Sequence, residues 1–122
     1  MINKLREPTE HEIQTQLMNY LTFIGIYNWR NNSGMTVVGE GRSRRMIRMG
    51  TAGMPDIMGV IGKRVADGRY YGRLIGIGVK KPKNKPTSVQ LTVHQELQRF
   101  GATVWVIHSL EELKQKIEEL YV

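Results

Sequence analysis

Cysteine is absent from the 122-residue chain, which excludes disulfides and thiolate metal sites. Its absence suits a reducing compartment, and we expect a cytoplasmic protein. The chain also lacks any apolar run near the roughly 20 residues that span a membrane, and its N-terminus lacks the apolar segment of a signal peptide. An apolar share of 40% is enough for one small core, so we expect a single domain over residues 1–122.

Acidic residues are scarce in the middle of the chain. The net charge is +7, yet residues 41–85 carry twelve Lys or Arg and only two acids, Asp56 and Asp67. Concentrated positive charge attracts polyanions, with nucleic acid the first candidate and a merely solvated basic surface the alternative. Phosphate contacts rather than base reading are predicted for Arg42, Arg44, Arg45, Arg48, Lys81, Lys83 and Lys85.

Apolar periodicity predicts an order of helix, three or more strands, helix, strand and helix. Capping boxes at Thr9 with Glu12 and at Thr87 with Gln90 begin the first two helices. In the Gly- and Arg-rich connection at 32–54, part of the chain is expected to form a hairpin around Gly39–Gly41. Strands joined by turns should pair antiparallel, and the strand that follows the second helix should join in parallel. The fold class expected is α/β, a mixed sheet flanked by helices.

Two neighbouring apolar stretches carry residues suited to phosphodiester chemistry. Asp56 stands before the first stretch and Lys80 ends the second. Because side chains alternate along a strand, the isoleucines and valine of the second stretch face the core, and the opposite face holds Gly76, Gly78 and Lys80. The two glycines predict a shallow groove beside the lysine. A second carboxylate at position 78 would complete a site for Mg²⁺ or Mn²⁺.

This pattern resembles the core of PD-(D/E)xK nucleases and, more narrowly, is similar to the virus-type replication-repair nuclease (VRR-NUC) domains. The stretches that carry the resemblance are Glu10–Gln14, Trp29–Gly34, Pro55–Asp56, Gly78–Pro82 and Ser88–Gln90. The likeness implies a restriction-endonuclease-like fold and a structure-specific DNA endonuclease related to Holliday-junction resolvases. Small stand-alone members, often phage-encoded, are similar in being homodimers that act on branched DNA. If this chain is also phage-encoded, the resemblance implies a location in the host cytoplasm.

The resemblance also implies roles for four motif positions. Asp56 matches the metal-binding aspartate, Lys80 the catalytic lysine, and the carbonyl of Val79 a ligand of Mg²⁺ or Mn²⁺. Gly78 stands where the second metal-binding glutamate is expected. We therefore expect weak or no cleavage from this chain.

The helices offer further site candidates. Glu10 or Glu12 would supply a helix carboxylate, and we favour Glu10 because Glu12 has a capping role. Gln90 matches the glutamine that follows the motif, or else only caps its own helix. Histidine spacing indicates no metal site, and His11 and His94 are expected on helix surfaces.

Gly78 leaves three interpretations open. The chain is a naturally inactive DNA-binding protein, or a variant whose glutamate was deliberately replaced, or an enzyme in which Glu10 or Glu12 supplies enough ligation. The intact remainder of the motif favours the second interpretation. As competing functions we keep a non-catalytic DNA-binding module and a subunit whose basic loop binds an acidic protein.

Overall fold

The computed structural model describes residues 6–31, 35–48 and 50–120, without the side chains of residues 35, 36 and 48. Part of the segment Trp29–Gly34 and the Arg48 side chain therefore lie outside the description. The elements are α1 (Glu10–Phe23), β1 (Tyr27–Arg30), β2 (Met35–Val38), a 3-10 turn (Gly41–Ser43), β3 (Arg45–Arg48), β4 (Ile57–Arg64), β5 (Tyr70–Val79), α2 (Ser88–Arg99), β6 (Thr103–Ile107) and α3 (Leu110–Leu120). This is the order predicted from periodicity.

Four strands form one mixed sheet in the order β1-β4-β5-β6. Strands β1, β4 and β5 pair antiparallel, whereas β6 pairs in parallel with β5. The hairpin between β4 and β5 turns at Asp67–Gly68, where the glycine has a φ of 90°. A helix lies between β5 and β6 and returns the chain in the same direction. The predicted α/β fold, a mixed sheet flanked by helices, is confirmed.

The long connection between β1 and β4 contains a sheet of its own. Strands β2 and β3 pair antiparallel, with Val38 opposite Arg45. The Ser43 hydroxyl donates a 2.7 Å hydrogen bond to the Glu40 carbonyl and closes the turn between them. The hairpin predicted around Gly39–Gly41 is confirmed, and it presents the arginine-rich segment at its tip.

Helices α1 and α3 pack on one face of the sheet and form the core with it. The buried cluster contains Ile13, Leu17, Leu21, Ile26, Ile57, Ile75, Ile77, Val79, Ile107, Leu113 and Ile117. The three residues from β5 are those that alternation assigned to the core, and each side chain of this size stabilises the fold by about 1.5–3 kcal/mol through burial. Helix α2 covers the opposite face of β5, where His94 lies against Gly78.

Capping interactions fix where the first two helices begin. The Thr9 hydroxyl accepts a 3.1 Å hydrogen bond from the Glu12 N–H, and the Glu12 carboxylate accepts one of 3.3 Å from the Thr9 N–H. Thr87 and Gln90 repeat the reciprocal pair at 3.2 and 2.9 Å. Both predicted capping boxes are confirmed. Within residues 6–31, 35–48 and 50–120, none of the helices has the length and apolar character needed to cross a membrane.

Candidate functional site

Asp56 lies immediately before β4 and is half-buried. The register that pairs Ile57 with Ile77 brings the aspartate opposite Gly78. Its Oδ2 accepts a 2.7 Å hydrogen bond from the Val79 N–H. A carboxylate can accept about four hydrogen bonds, so this one leaves lone pairs for another ligand. The two halves of the motif therefore meet at the end of β5, next to Lys80.

Charged groups from three other elements act on Asp56. Burial raises the pKa of Asp56, and the hydrogen bond from Val79 opposes that rise. The charge of Glu10 raises this pKa further, whereas Lys80 and His94 lower it. The half-buried Asp56 is therefore influenced by the charges of a helix carboxylate, a lysine and a histidine.

The two candidate carboxylates of α1 have different surroundings. Glu12 is engaged with Arg6 through hydrogen bonds of 2.6 and 3.0 Å and with the Thr9 N–H. The Arg6 hydrogen bond is the main reason why the pKa of Glu12 is lowered to about 2. Glu10 is partly buried and acts on Asp56. Of the two helix carboxylates, Glu10 and not Glu12 therefore contributes to the electrostatics of Asp56.

The glycine face of β5 is filled rather than open. A Cβ atom at Gly76 would lie 2.8 Å from Cγ of Pro55. One at Gly78 would lie 3.1 Å from Cε1 and 3.5 Å from Nε2 of His94. Both glycines are buried, so the prediction of a shallow groove beside Lys80 is wrong. A glycine in a sequence says that space is needed, but not which neighbouring side chain takes it.

His94 is the site residue that the sequence reasoning missed. The prediction of a helix-surface position is wrong, because the side chain is only 6% exposed, whereas His11 is exposed as expected. Nε2 of His94 is buried without a hydrogen-bond partner among the described residues. Burial lowers the pKa of His94, the charge of Asp56 opposes this, and Lys80 lowers it further. The sequence carries no separate signal for this position, because only the packing of α2 on the sheet decides which of its residues faces β5.

Other polar residues near the motif are engaged in structural contacts. Gln90 accepts from the Thr87 N–H through its side-chain oxygen, which is the capping role left open by the sequence. Arg30 donates to Oε1 of Gln14 at 2.9 Å and to the Thr15 hydroxyl at 3.2 Å. These contacts fix β1 against α1 on the Glu10 side of the site.

The predicted phosphate-binding arginines lie in the β2–β3 hairpin. Arg42, Arg44 and Arg45 are exposed, and they line an open surface pocket together with Ser43. Strand β3 ends at Arg48, whose side chain is outside the description. The described arginines are accessible to a polyanion.

The lysine loop follows β5 directly. Lys83 and Lys85 are exposed, and Lys81 is half-buried. The Asn84 N–H donates to the Lys81 carbonyl at 3.0 Å, and Nε2 of His108 lies 3.2 Å from the Asn84 carbonyl. The loop is therefore tied to the end of β6, and its positive charge stays near Lys80.

The donors present fit a divalent cation only in part. Within the described residues, no three His, Asp, Glu or Cys side chains form a group that could hold a metal ion. Asp56 and His94 nevertheless offer one carboxylate and one unpartnered ring nitrogen at the same end of β5. A cation there would take two side-chain ligands, and backbone carbonyl or water oxygens would supply the rest.

Comparisons with known proteins gave no match, whether against protein-family models, curated proteins or solved structures. The resemblance to VRR-NUC domains accordingly remains a prediction from the motif residues.

Proposed function

We propose that the protein is a metal-dependent, structure-specific DNA endonuclease of the PD-(D/E)xK type, whose cleavage is weak because Gly78 stands in place of a carboxylate. The observation that carries this proposal is the 2.7 Å hydrogen bond between Oδ2 of Asp56 and the Val79 N–H. It joins the aspartate at the head of β4 to the strand that ends in Lys80. The mixed sheet flanked by helices is the framework that such a nuclease would need.

Each site residue has a distinct task in this proposal. Asp56 binds Mg²⁺ or Mn²⁺, which when bound supplies Lewis-acid charge at the scissile phosphate. The Lys80 ammonium stabilises the negative charge that develops on the phosphate oxygens. Glu10 adds negative charge beside Asp56 and so favours cation binding. Hydrolysis joins a water oxygen to phosphorus, breaks one P–O ester bond and returns a proton to the leaving oxygen.

The positive surface supports DNA as the substrate. Arginines of the β2–β3 hairpin and the lysine loop after β5 offer phosphate contacts without a recognition helix. Contacts of this kind bind by charge and shape, which suits branched DNA more than a base sequence. A homodimer, which would present two sites, is part of the proposal, and sedimentation of the purified protein tests it.

A non-catalytic DNA-binding module is the second candidate. One observation favours it: the described residues contain no group of three metal-binding side chains. In this alternative the basic surface keeps its role, and Asp56 and Lys80 retain only structural ones.

Cleavage and binding assays on fork, flap and four-way junctions in Mg²⁺ or Mn²⁺ separate the two candidates. We expect slow metal-dependent cleavage by the wild type and none by Asp56→Asn or Lys80→Met. Lys63→Met, at the far end of β4, serves as the matched control and should cleave like the wild type. DNA binding that weakens steeply with salt, with no cleavage under any condition, would favour the non-catalytic module. Absence of DNA binding would contradict both candidates.

A further inference from the structure

We propose that His94 takes the place of the missing carboxylate, so that its Nε2 is a metal ligand together with Asp56. The site would then prefer Mn²⁺, Co²⁺ or Zn²⁺ to Mg²⁺. This inference rests on the proposed function, because it names the second side-chain ligand of the same site.

The position of the His94 ring carries the proposal. A Cβ atom at residue 78 would lie 3.1 Å from Cε1 and 3.5 Å from Nε2, so the ring edge that bears Nε2 faces the strand there. The antiparallel register brings Asp56 opposite Gly78 on the neighbouring strand. The imidazole therefore fills the space into which a side chain from position 78 would project, beside the aspartate.

The state of Nε2 is a second and independent observation. This nitrogen is buried in a side chain that is 6% exposed, and it has no hydrogen-bond partner among the described residues. The other two histidines differ: His11 is exposed, and both ring nitrogens of His108 lie within 3.2 Å of oxygens of Glu112 and Asn84. Buried polar atoms are nearly always paired, so an unpaired one needs an explanation, and a bound cation supplies it here.

The surrounding charges are compatible with a metal-binding imidazole. Asp56, opposite Gly78 in the register, supplies the negative charge that attracts a cation. A neutral imidazole is the form that coordinates metals. Helix α2 thus contributes a ligand that the motif on β4 and β5 does not contain.

A nitrogen ligand changes which metals the site selects. Mg²⁺ favours oxygen ligands in a near-ideal octahedron, whereas imidazole suits the transition metals and Zn²⁺. With His94 in place of a carboxylate, the site also carries one negative charge less, which lowers its affinity for Mg²⁺ further. The chain would consequently cleave DNA more slowly in Mg²⁺ than in Mn²⁺.

Metal titration of the wild-type protein, without DNA, tests this directly. The chain has three histidines, so their ring signals can be followed separately in nitrogen-15-labelled protein. We expect Mn²⁺ to broaden the His94 signals at concentrations at least about tenfold below those that affect His11 and His108. An equal concentration of Mg²⁺ should leave all three unchanged. This measurement needs no variant, so it does not depend on a substituted chain folding.

Variants then identify the ligands by calorimetry. His94→Ala and Asp56→Asn should each weaken Mn²⁺ binding by about tenfold or more, and His11→Ala should not change it. Binding of Mn²⁺ that survives His94→Ala but is lost in Asp56→Asn would overturn the role of His94 and leave the aspartate site standing. Absence of Mn²⁺ effects on the His94 signals would also overturn it. Metal-dependent cleavage of branched DNA that requires Asp56 and Lys80 but survives His94→Ala would leave the proposed function standing without the role of His94, so the two failures can be told apart.

Discussion

Gly78 and His94 are sterically coupled, since a Cβ at the glycine would lie 3.1 Å from Cε1 of the histidine. One residue belongs to β5 and the other to α2, so the strand and the helix pack closely only because position 78 has no side chain. Changing either residue alone alters the fit of the other.

Restoring the glutamate alone should therefore destabilise the protein. We expect Gly78→Glu to lower the free energy of unfolding by about 1–3 kcal/mol, because the new Cβ crowds a buried ring. In the Gly78→Glu/His94→Ala double variant the freed space should recover part of that loss. Urea unfolding of the four proteins of this cycle measures the coupling, and additive effects would contradict the contact.

The same pair predicts how catalysis can be restored. The double variant carries the complete motif with room for its side chain, and it should cleave branched DNA in Mg²⁺ on the order of 10²-fold faster than the wild type. Gly78→Glu alone should gain less, because its carboxylate competes with the His94 ring. Initial cleavage rates at saturating Mg²⁺ test this, and equal rates for the single and double variants would argue against the steric conflict.

Asp56 should limit stability at neutral pH. Because burial raises its pKa in the folded state, ionisation of this carboxyl opposes folding. The stability associated with the protonated Asp56 carboxyl is fully present below the unfolded-state pKa of about 4. It is lost as pH rises through the higher pKa of the folded state. Asp56→Asn keeps an acceptor for the Val79 N–H and carries no charge.

The asparagine variant should accordingly unfold at higher denaturant than the wild type at pH 7, and the difference should close below about pH 4. Urea titrations at both pH values measure this. If Asp56 served only as a turn former after Pro55, Asp56→Asn would instead destabilise the protein at pH 7. The sign of the change in unfolding midpoint therefore distinguishes the two roles.

The contribution of Glu12 to stability should depend on pH in the opposite direction to that of Asp56. Its pKa is lowered from 4.5 to about 2, mainly by the hydrogen bond from Arg6, so its stabilisation is present above pH 4.5 and is lost as pH falls toward 2. Glu12→Gln should flatten the acid limb of the stability profile. Glu118→Gln, on the exposed side of α3, is the matched control. Acid titration of unfolding followed by circular dichroism reports the slopes, and parallel slopes for wild type and Glu12→Gln would contradict the Arg6 contact.

Removing positive charge from the basic segments should weaken DNA binding and reduce the dependence of the affinity on salt concentration. Each of Lys83→Ala, Lys85→Ala and Arg42→Ala should reduce the slope of log affinity against log salt by about 0.9 if that side chain neutralises one duplex phosphate. Lys116→Ala, on α3, should leave the slope unchanged. Fluorescence anisotropy across a salt series gives these slopes. Unchanged slopes in all three variants would contradict a DNA-binding surface in these basic segments.

Most of the framework followed from sequence because its signals are local. The capping box at Thr9, the hairpin glycines at Gly39–Gly41 and the alternation through Ile75 and Ile77 each depend on neighbours in the chain. Such local signals predict the helices, the strand pairing and the core face of β5 without any tertiary contact.

What sequence could not supply was the packing of α2 on the sheet. The sequence of α2 does not show which of its residues pack against β5. Only the tertiary structure shows that His94, rather than an apolar residue, lies against Gly78. The mistaken groove and the overlooked histidine have this one cause. Asp56 could be predicted because its partner Val79 belongs to the adjacent strand of the same hairpin.

Anomalous scattering from crystals of the wild-type protein soaked in Mn²⁺ tests the site most directly. We predict a manganese peak bound by the Asp56 carboxylate and Nε2 of His94, at roughly 2.0–2.3 Å from each, with Lys80 beside it. A peak elsewhere, or Asp56 and His94 too far apart to share one ion, would contradict the site.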